Sequence, residues 1–323
     1  MMGQPILTIG IPTFNSCNYL KESIDLILNQ IRSLDDLEIL ICDNSSDDGT
    51  QILIEEYILK FPDTIRYIRH QANLGMDRNF WSVIENAEGK FVHLLADDDF
   101  YTPNGVKRIL ERINSHDNLD AILLSNNYLN TCNGKIITNV ESCTEDVLCE
   151  SDGEKFWLNE NLKSLCLSNI VVKRSKCLVI SDIEKYFGSQ WLHVALLTQI
   201  VKSASTSYIF NFKEPVVTVR IGNQKWLEKD GAIAFYYNVL LIFSGLKNAG
   251  YNDLVFEHIK KIFLPLVLNG GRIKFVRPYM NIFYCLQFFK FYYNMPGRYA
   301  LFCLKLLLQK HRPFFEGWEK IGH

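Results

Sequence analysis

Asp97, Asp98 and Asp99 stand side by side where an apolar run, KFVHLLA, stops. Three adjacent carboxylates repel one another and resist burial, so the cluster needs a cation or a dense hydrogen-bond network. Mg2+ or Mn2+ suits it, because hard cations prefer oxygen ligands and can bridge carboxylates to a diphosphate. The plainer alternative is a capping cluster for the helix that follows.

Asn15, Asp43 and Asn73 occupy comparable places, each in a polar turn after a strand-like run. The runs are Ile6 to Pro12, Leu37 to Cys42 and Thr64 to His70, and the fourth is the run that ends at the aspartates. Between them lie stretches with helical spacing: Leu20 to Ile31, about Thr50 to Leu59, and about Met76 to Glu88, with Gly89 expected to close the last as a C-terminal glycine. Another helix is expected at Pro103 to Ser115, a strand at Ala121 to Asn127 and another at Ile170 to Arg174, then a helix at Trp191 to Ser203. Strands alternating with helices predict an α/β fold: a Rossmann-like, doubly wound, mostly parallel sheet that binds ligands at the carboxyl ends of its strands. The expected organisation is an α/β domain over 1–225 and a helical C-terminal region over 226–323.

Of the 323 residues 48% are hydrophobic, which argues for a folded globule. The nine cysteines form no CxxC pair, which fits a reducing compartment better than a disulfide framework or a zinc site. The N-terminus does not read as a secretory signal, and no run reaches the roughly 18 to 20 apolar residues of a membrane-spanning helix. The net charge is −2, yet between His258 and Phe315 stand ten Lys and Arg and no acidic residue, interleaved with Phe, Tyr and Leu. Interfacial helices on an anionic membrane are the favoured reading of that tail, ahead of a packed helical subdomain. Nucleic acid is not an expected partner, because no binding module is present.

PTFN at Pro12 to Asn15, CDNSSDDGT at Cys42 to Thr50, NLG at Asn73 to Gly75 and AEGKFVHLLADDDFYTP at Ala87 to Pro103 together resemble family 2 glycosyltransferases of the GT-A fold. The resemblance is close over about the first 110 residues and looser over the next 110. It implies metal-assisted transfer, with inversion, of a sugar from a nucleotide-diphosphate donor, UDP or dTDP, to an acceptor hydroxyl, and makes 1–225 the nucleotide-sugar-binding and catalytic domain. Carried over, it assigns Pro12, Thr13, Asn15, Asp43 and Asn73 to the donor, and Arg78 and Asn79 to its diphosphate unless they are merely a helix start. Asp98 aligns with the metal-binding aspartate, joined by Asp99. Ala96 stands where the family's first aspartate would be, and Asp97 is the candidate replacement on the donor side.

An inverting enzyme needs a general base. The family's late acidic pair aligns with Leu192 and His193, which makes His193 the candidate, unless it packs beside Trp191 or touches the acceptor. Asp182 and Glu184 are the fallbacks. Arg220, in VRIGNQKW with Asn223 and Trp226, sits where relatives fold a segment over the donor phosphates, and an arginine there can pair bidentately. The basic tail puts the expected location on the cytoplasmic face of the cell membrane, so the expected acceptor is a lipid-linked glycan, as resembling enzymes of O-antigen or capsule assembly use. A soluble or protein acceptor, or a non-catalytic nucleotide-binding protein, are the alternatives; a nucleotidyltransferase lacks its G-x-G-T-R loop here.

Overall fold

The computed structural model describes residues 4–30, 37–138, 147–150, 152–159, 162–203, 208–221, 231–248 and 250–268. The chain divides into two compact units, Met1–Asn223 and Gln224–His323.

In the first unit, β1 (Leu7–Thr13) lies between β2 (Leu37–Asp43) and β4 (Phe91–Leu94) and parallel to both, with β3 (Ile65–Arg69) beyond β2. β1 and β2 are buried along their whole length, as strands covered on both faces must be. Gly10 is where α3 (Met76–Asn86) packs: a Cβ there would lie 2.1 Å from Val83 Cγ1. Pro12 falls beyond Gly10, the last β1 residue in register with β4, so its missing N–H costs no ladder bond on that side. Gly89 does not cap α3, whose cap is Ala87; a Cβ on Gly89 would stand 2.5 Å from the Thr8 nitrogen, so close backbone approach explains the glycine.

Past β4 the sheet changes sense. β9 (Ile170–Lys173) runs antiparallel between β4 and β6 (Leu119–Asn130). β10 (Tyr208–Ile221) returns parallel to β6. Short β5 (Phe100–Tyr101) and β8 (Val147–Glu150) pair antiparallel with β10, and β7 (Ile136–Thr138) does so with β6. Among the described residues this is a mixed ten-stranded sheet, α/β as expected but not mostly parallel, because β5, β7, β8 and β9 all pair antiparallel with their neighbours.

Helices α1 (Cys17–Gln30), α2 (Thr50–Lys60) and α4 (Gly105–Ser115) complete the α/β alternation. α4 turns Val106, Ile109 and Ile113 inward at helical spacing. Short α5 (Gly153–Asn159) and α6 (Arg174–Leu178) precede α7 (Leu192–Ser203).

The second unit contains α8 (Gly231–Asn248) and α9 (Asp253–Leu268), which pack against each other. Lys260 of the basic tail is buried and paired with Glu257 at 2.6 Å. Asn223, Trp226 and the tail after 268 lie outside the described residues. Among the described residues no helix is long and apolar enough to cross a membrane, and Cys17, Cys42, Cys132, Cys149, Cys166 and Cys177 are all free thiols.

Candidate active site

The carboxyl ends of β1 to β4 are tied into one framework by short polar side chains. Asp43, fully buried, accepts from the Ser46 N–H at 2.8 Å and hydroxyl at 2.5 Å on Oδ1, and from the Tyr67 hydroxyl at 2.7 Å on Oδ2. Arg69 Nε stands 3.6 Å from the same carboxylate. Asn15, in a left-handed turn at φ 54°, donates its N–H to Ser46 Oγ and accepts the Asp47 N–H, both at 2.9 Å. Asn44 donates to Asn73 Oδ1 at 2.8 Å and accepts from the Leu74 N–H at 2.8 Å.

Thr13 is buried and Asn15 exposed, so the PTFN loop passes from core to surface within two residues. Asn79 turns inward, its amide donating to the Cys42 carbonyl at 3.0 Å and the Thr13 carbonyl at 3.4 Å. It therefore fastens β1 to β2 rather than reaching outward. Arg78 beside it is exposed, its guanidinium 4.6 Å from the centre of the Phe187 ring.

The aspartate triplet sits against this framework with its outer members turned to protein donors. Asp97 accepts from Thr13 Oγ1 at 2.7 Å and the Phe14 N–H at 3.3 Å. Burial, and then the neighbouring charge of Asp98, push its carboxyl up to about 7. Asp99 accepts from the Ser168 hydroxyl at 2.6 Å on Oδ2 and the Arg220 N–H at 3.0 Å on Oδ1, and the same two causes raise its pKa.

Arg220 is 5% exposed, and its guanidinium is already engaged. It donates to the Asp98 carbonyl, pairs with Glu22 at 2.5 Å, and lies between the rings of Tyr19 and Phe100 at 5.2 and 4.7 Å. It holds the aspartate turn against α1 in this conformation instead of extending toward a ligand.

A buried chain of hydrogen bonds runs beneath the triplet. His93 Nε2 lies 2.8 Å from the Ser168 carbonyl and so carries the proton, while Nδ1 accepts from the Tyr101 hydroxyl. Burial lowers the His93 pKa to about 4 and keeps the ring neutral. Ser168 Oγ also accepts the Ala96 N–H at 3.0 Å. Ser168, which precedes β9 in the tripeptide LSN, carries no motif that could have marked it. Asn44 and Ser46, by contrast, lay inside the quoted CDNSSDDGT.

On the other side of α3, His193 is 4% exposed and packed between Trp191 and Phe80, with ring centroids 5.6 and 6.1 Å away. Burial lowers its pKa to about 4, with the Leu165 backbone opposing, and neither ring nitrogen reaches full hydrogen-bond geometry with a protein partner. Asp182, at φ 55°, and Glu184 are exposed in the preceding turn.

Among the described residues no three His, Cys, Asp or Glu side chains converge as a ready-made metal cage. The oxygen-only donors at 97–99 nonetheless fit a hard divalent ion that takes Asp98 from the protein and its other ligands from phosphate and water. A recess lined by Leu37, Thr64, Glu88 and Arg174 lies at the amino ends of the strands, where ligands of α/β sheets do not ordinarily bind.

The solved structures that resemble this fold include Staphylococcus aureus TarS 1–349 in complex with UDP-GlcNAc, with a TM-score of 0.67 at 16% identity over 92% of this chain and 83% of that one. The mannosyltransferase PcManGT of Pyrobaculum calidifontis, in complex with GDP-Man and Mn2+, gives 0.54 at 14% identity over 96% and 89%. By sequence, the abequosyltransferase RfbV of Salmonella typhimurium is 27% identical over 240 residues, 70% of this chain and 69% of its own length. The chondroitin synthase of Escherichia coli is 28% identical over 135 residues, 42% of this chain and 19% of that protein. The profile of "Glycosyl transferase family 2" matches residues 8–177, just over half of the chain. With the GT-A fold and the framework around Asp43 and Asp97 to Asp99, the chain belongs to glycosyl transferase family 2.

Proposed function

We propose that this glycosyltransferase moves a sugar, with inversion, from a nucleoside-diphosphate donor to a hydroxyl of a lipid-linked glycan in surface polysaccharide synthesis. The observation that carries the reading is the joining of four strand ends, through Asn15, Asp43, Asn73 and Asp97, into one polar surface beside Asp98. Pro12, Thr13 and Asn15 flank the nucleoside, Asp43 and Asn73 hold the loops that shape its seat, and exposed Arg78 is the cation for the diphosphate. Asn79 supports them from below. TarS bound to UDP and UDP-GlcNAc, and PcManGT bound to GDP-Man and Mn2+, support a donor of this class, with UDP or dTDP the expected nucleotide.

Asp98 would hold Mn2+ or Mg2+, with Asp99 joining it on releasing Ser168; when bound, the ion neutralises charge on the leaving diphosphate. The acceptor oxygen bonds to the anomeric carbon as the bond from that carbon to the diphosphate breaks, and the acceptor proton passes to His193 Nδ1 or Nε2. A buried ring nitrogen without a protein partner in full hydrogen-bond geometry is what a docked hydroxyl would satisfy. The lowered pKa keeps His193 in the proton-accepting form at pH 7 while limiting its strength, so its share is on the order of 10²-fold. Asp182 is the second candidate.

The abequosyltransferase relative and the basic tail support the lipid-linked acceptor and a place on the cytoplasmic membrane face. Thermal unfolding with UDP, dTDP, GDP and CDP, each with and without Mn2+, tests the donor claim. A ligand at about a hundred times its Kd adds roughly 2.7 kcal/mol, a shift of several degrees. One nucleotide should give a metal-dependent shift that Asp98→Asn loses. No shift with any of them would defeat the reading.

A further inference from the structure

Asp77 is the second residue of α3, two positions after Gly75 of the NLG turn, and is 2% exposed. Its carboxylate leaves its own helix. Oδ2 accepts the Gln190 N–H at 2.8 Å and Oδ1 the Leu192 N–H at 3.1 Å, the latter an orphan donor of the first turn of α7. The backbone N–H groups of Gly188 and Ser189 face the same carboxylate. Gly188 and Gln190 have φ of 88° and 67°, and this alternation of left-handed residues turns successive N–H groups into a concave anion seat. The seat is filled by a side chain of the protein itself.

The neighbours of Asp77 on α3 face both ways. Asn79 grips the ends of β1 and β2, Arg78 lies over Phe187 of the turn that leads to α7, and Phe80 packs edge-on against His193. The start of α3 therefore touches the donor framework through one set of side chains and the acceptor-side segment through another, and in that second set Asp77 is the member that hydrogen-bonds the backbone leading into α7.

We infer that Asp77 is a positioning residue that registers α7, and with it His193, to the Asn73–Gly75 loop, so that donor binding orders the acceptor side of the site. This rests on the donor reading above and adds to it a coupling between the two substrates. A carboxylate is required because it accepts several N–H groups at once. Asparagine keeps the shape but turns an NH2 toward N–H donors.

Amide hydrogen exchange at Gln190 and Leu192 in the wild-type protein, with and without Mn2+ and the nucleotide that raises its melting point, needs no variant. Nucleotide is expected to slow both amides by about tenfold or more. Asp77→Asn should keep the nucleotide-induced melting shift, lose the slowing, and lower kcat by on the order of 10²-fold with donor KM nearly unchanged, since misplacement by about 1 Å suffices for such a loss. Asp77→Glu should recover part of kcat. Exchange that ignores nucleotide in a wild-type protein that binds it would overturn the coupling, as would full kcat in Asp77→Asn, or nucleotide binding and kcat lost in parallel. If no nucleotide stabilises the wild type, the donor reading falls first and the coupling with it.

Discussion

The Ser168 hydroxyl donates to Asp99 Oδ2 at 2.6 Å, and the Ser168 carbonyl accepts from His93 Nε2 at 2.8 Å. One residue at the mouth of the antiparallel strand β9 thus joins the aspartate turn to a neutral histidine buried within β4. Because Ser168 Oγ also accepts the Ala96 N–H, it fixes both ends of the segment that carries Asp97 and Asp98.

Ser168→Ala removes both side-chain bonds and leaves buried Asp99 Oδ2 and the part-buried Ala96 N–H without these partners. The expected loss is about 2 kcal/mol of unfolding free energy, the usual cost of stranding buried polar groups. Urea denaturation at pH 7 checks it, and Ser168→Thr should recover part. Equal stability of Ser168→Ala and wild type would mean that water replaces the hydroxyl.

How much of this was legible in the sequence depends on the range of the interaction. Asp43 and Ser46 lie within one short polar turn, and the strands before that turn and before Asn15 are runs bounded by such turns, so pattern and propensity sufficed there; the bond between Asn15 and Asp47, 32 residues apart, was not legible. The antiparallel sense of β9 was not legible: Ile170 to Lys173 reads the same in either direction, and pairing is decided by contacts with β4 and β6 more than forty residues away. Arg220 was legible as a residue near the site but not in its role. Whether an arginine reaches a ligand or its own protein depends on Glu22, Tyr19 and Phe100, and no local spacing brings those three to it. Ser168 and Asp77 act on partners far along the chain and carry no motif at all.

Arg220→Lys keeps a charge but gives up the planar fork that spans the Asp98 carbonyl and Glu22 between two rings. The aspartate turn then loses its clamp. Nucleotide affinity measured by calorimetry with Mn2+ is expected to fall by about tenfold, one such charge-assisted bond, while Glu22→Gln should fall less because the carbonyl contact and the ring stacking survive. Unchanged affinity in Arg220→Lys would show that the turn holds its shape alone.

Gly10→Ala tests the closest packing under the site. The added Cβ would meet Val83 Cγ1 at 2.1 Å, so α3 must shift or Val83 must change rotamer, at an expected cost of about 1–3 kcal/mol. Pairing it with Val83→Ala should return most of that loss, and the double-mutant coupling read from urea unfolding is the check. Additive effects would mean that α3 moves as a body, in which case the Asn79 contacts with Thr13 and Cys42 should weaken as well.

Acid should reveal the buried histidine of α7. The folded pKa of His193 is about 4, below the roughly 6.5 of an exposed imidazole, so the unfolded chain binds the proton first as pH falls. Its contribution is therefore fully present above about pH 6.5 and is lost progressively between about 6.5 and 4. His93, with the same shift, acts in the same direction, whereas Asp97, raised to about 7, acts in the opposite one over its own range. The slope of the wild type alone is thus mixed, and subtraction isolates the histidine. Between pH 6.5 and 5 the wild type should lose about 1.5 kcal/mol more than His193→Phe, measured by urea unfolding at both pH values. Parallel pH curves for the two proteins would mean that the His193 ring is hydrated in solution and titrates normally, and its share as a proton acceptor would then be that of an ordinary imidazole.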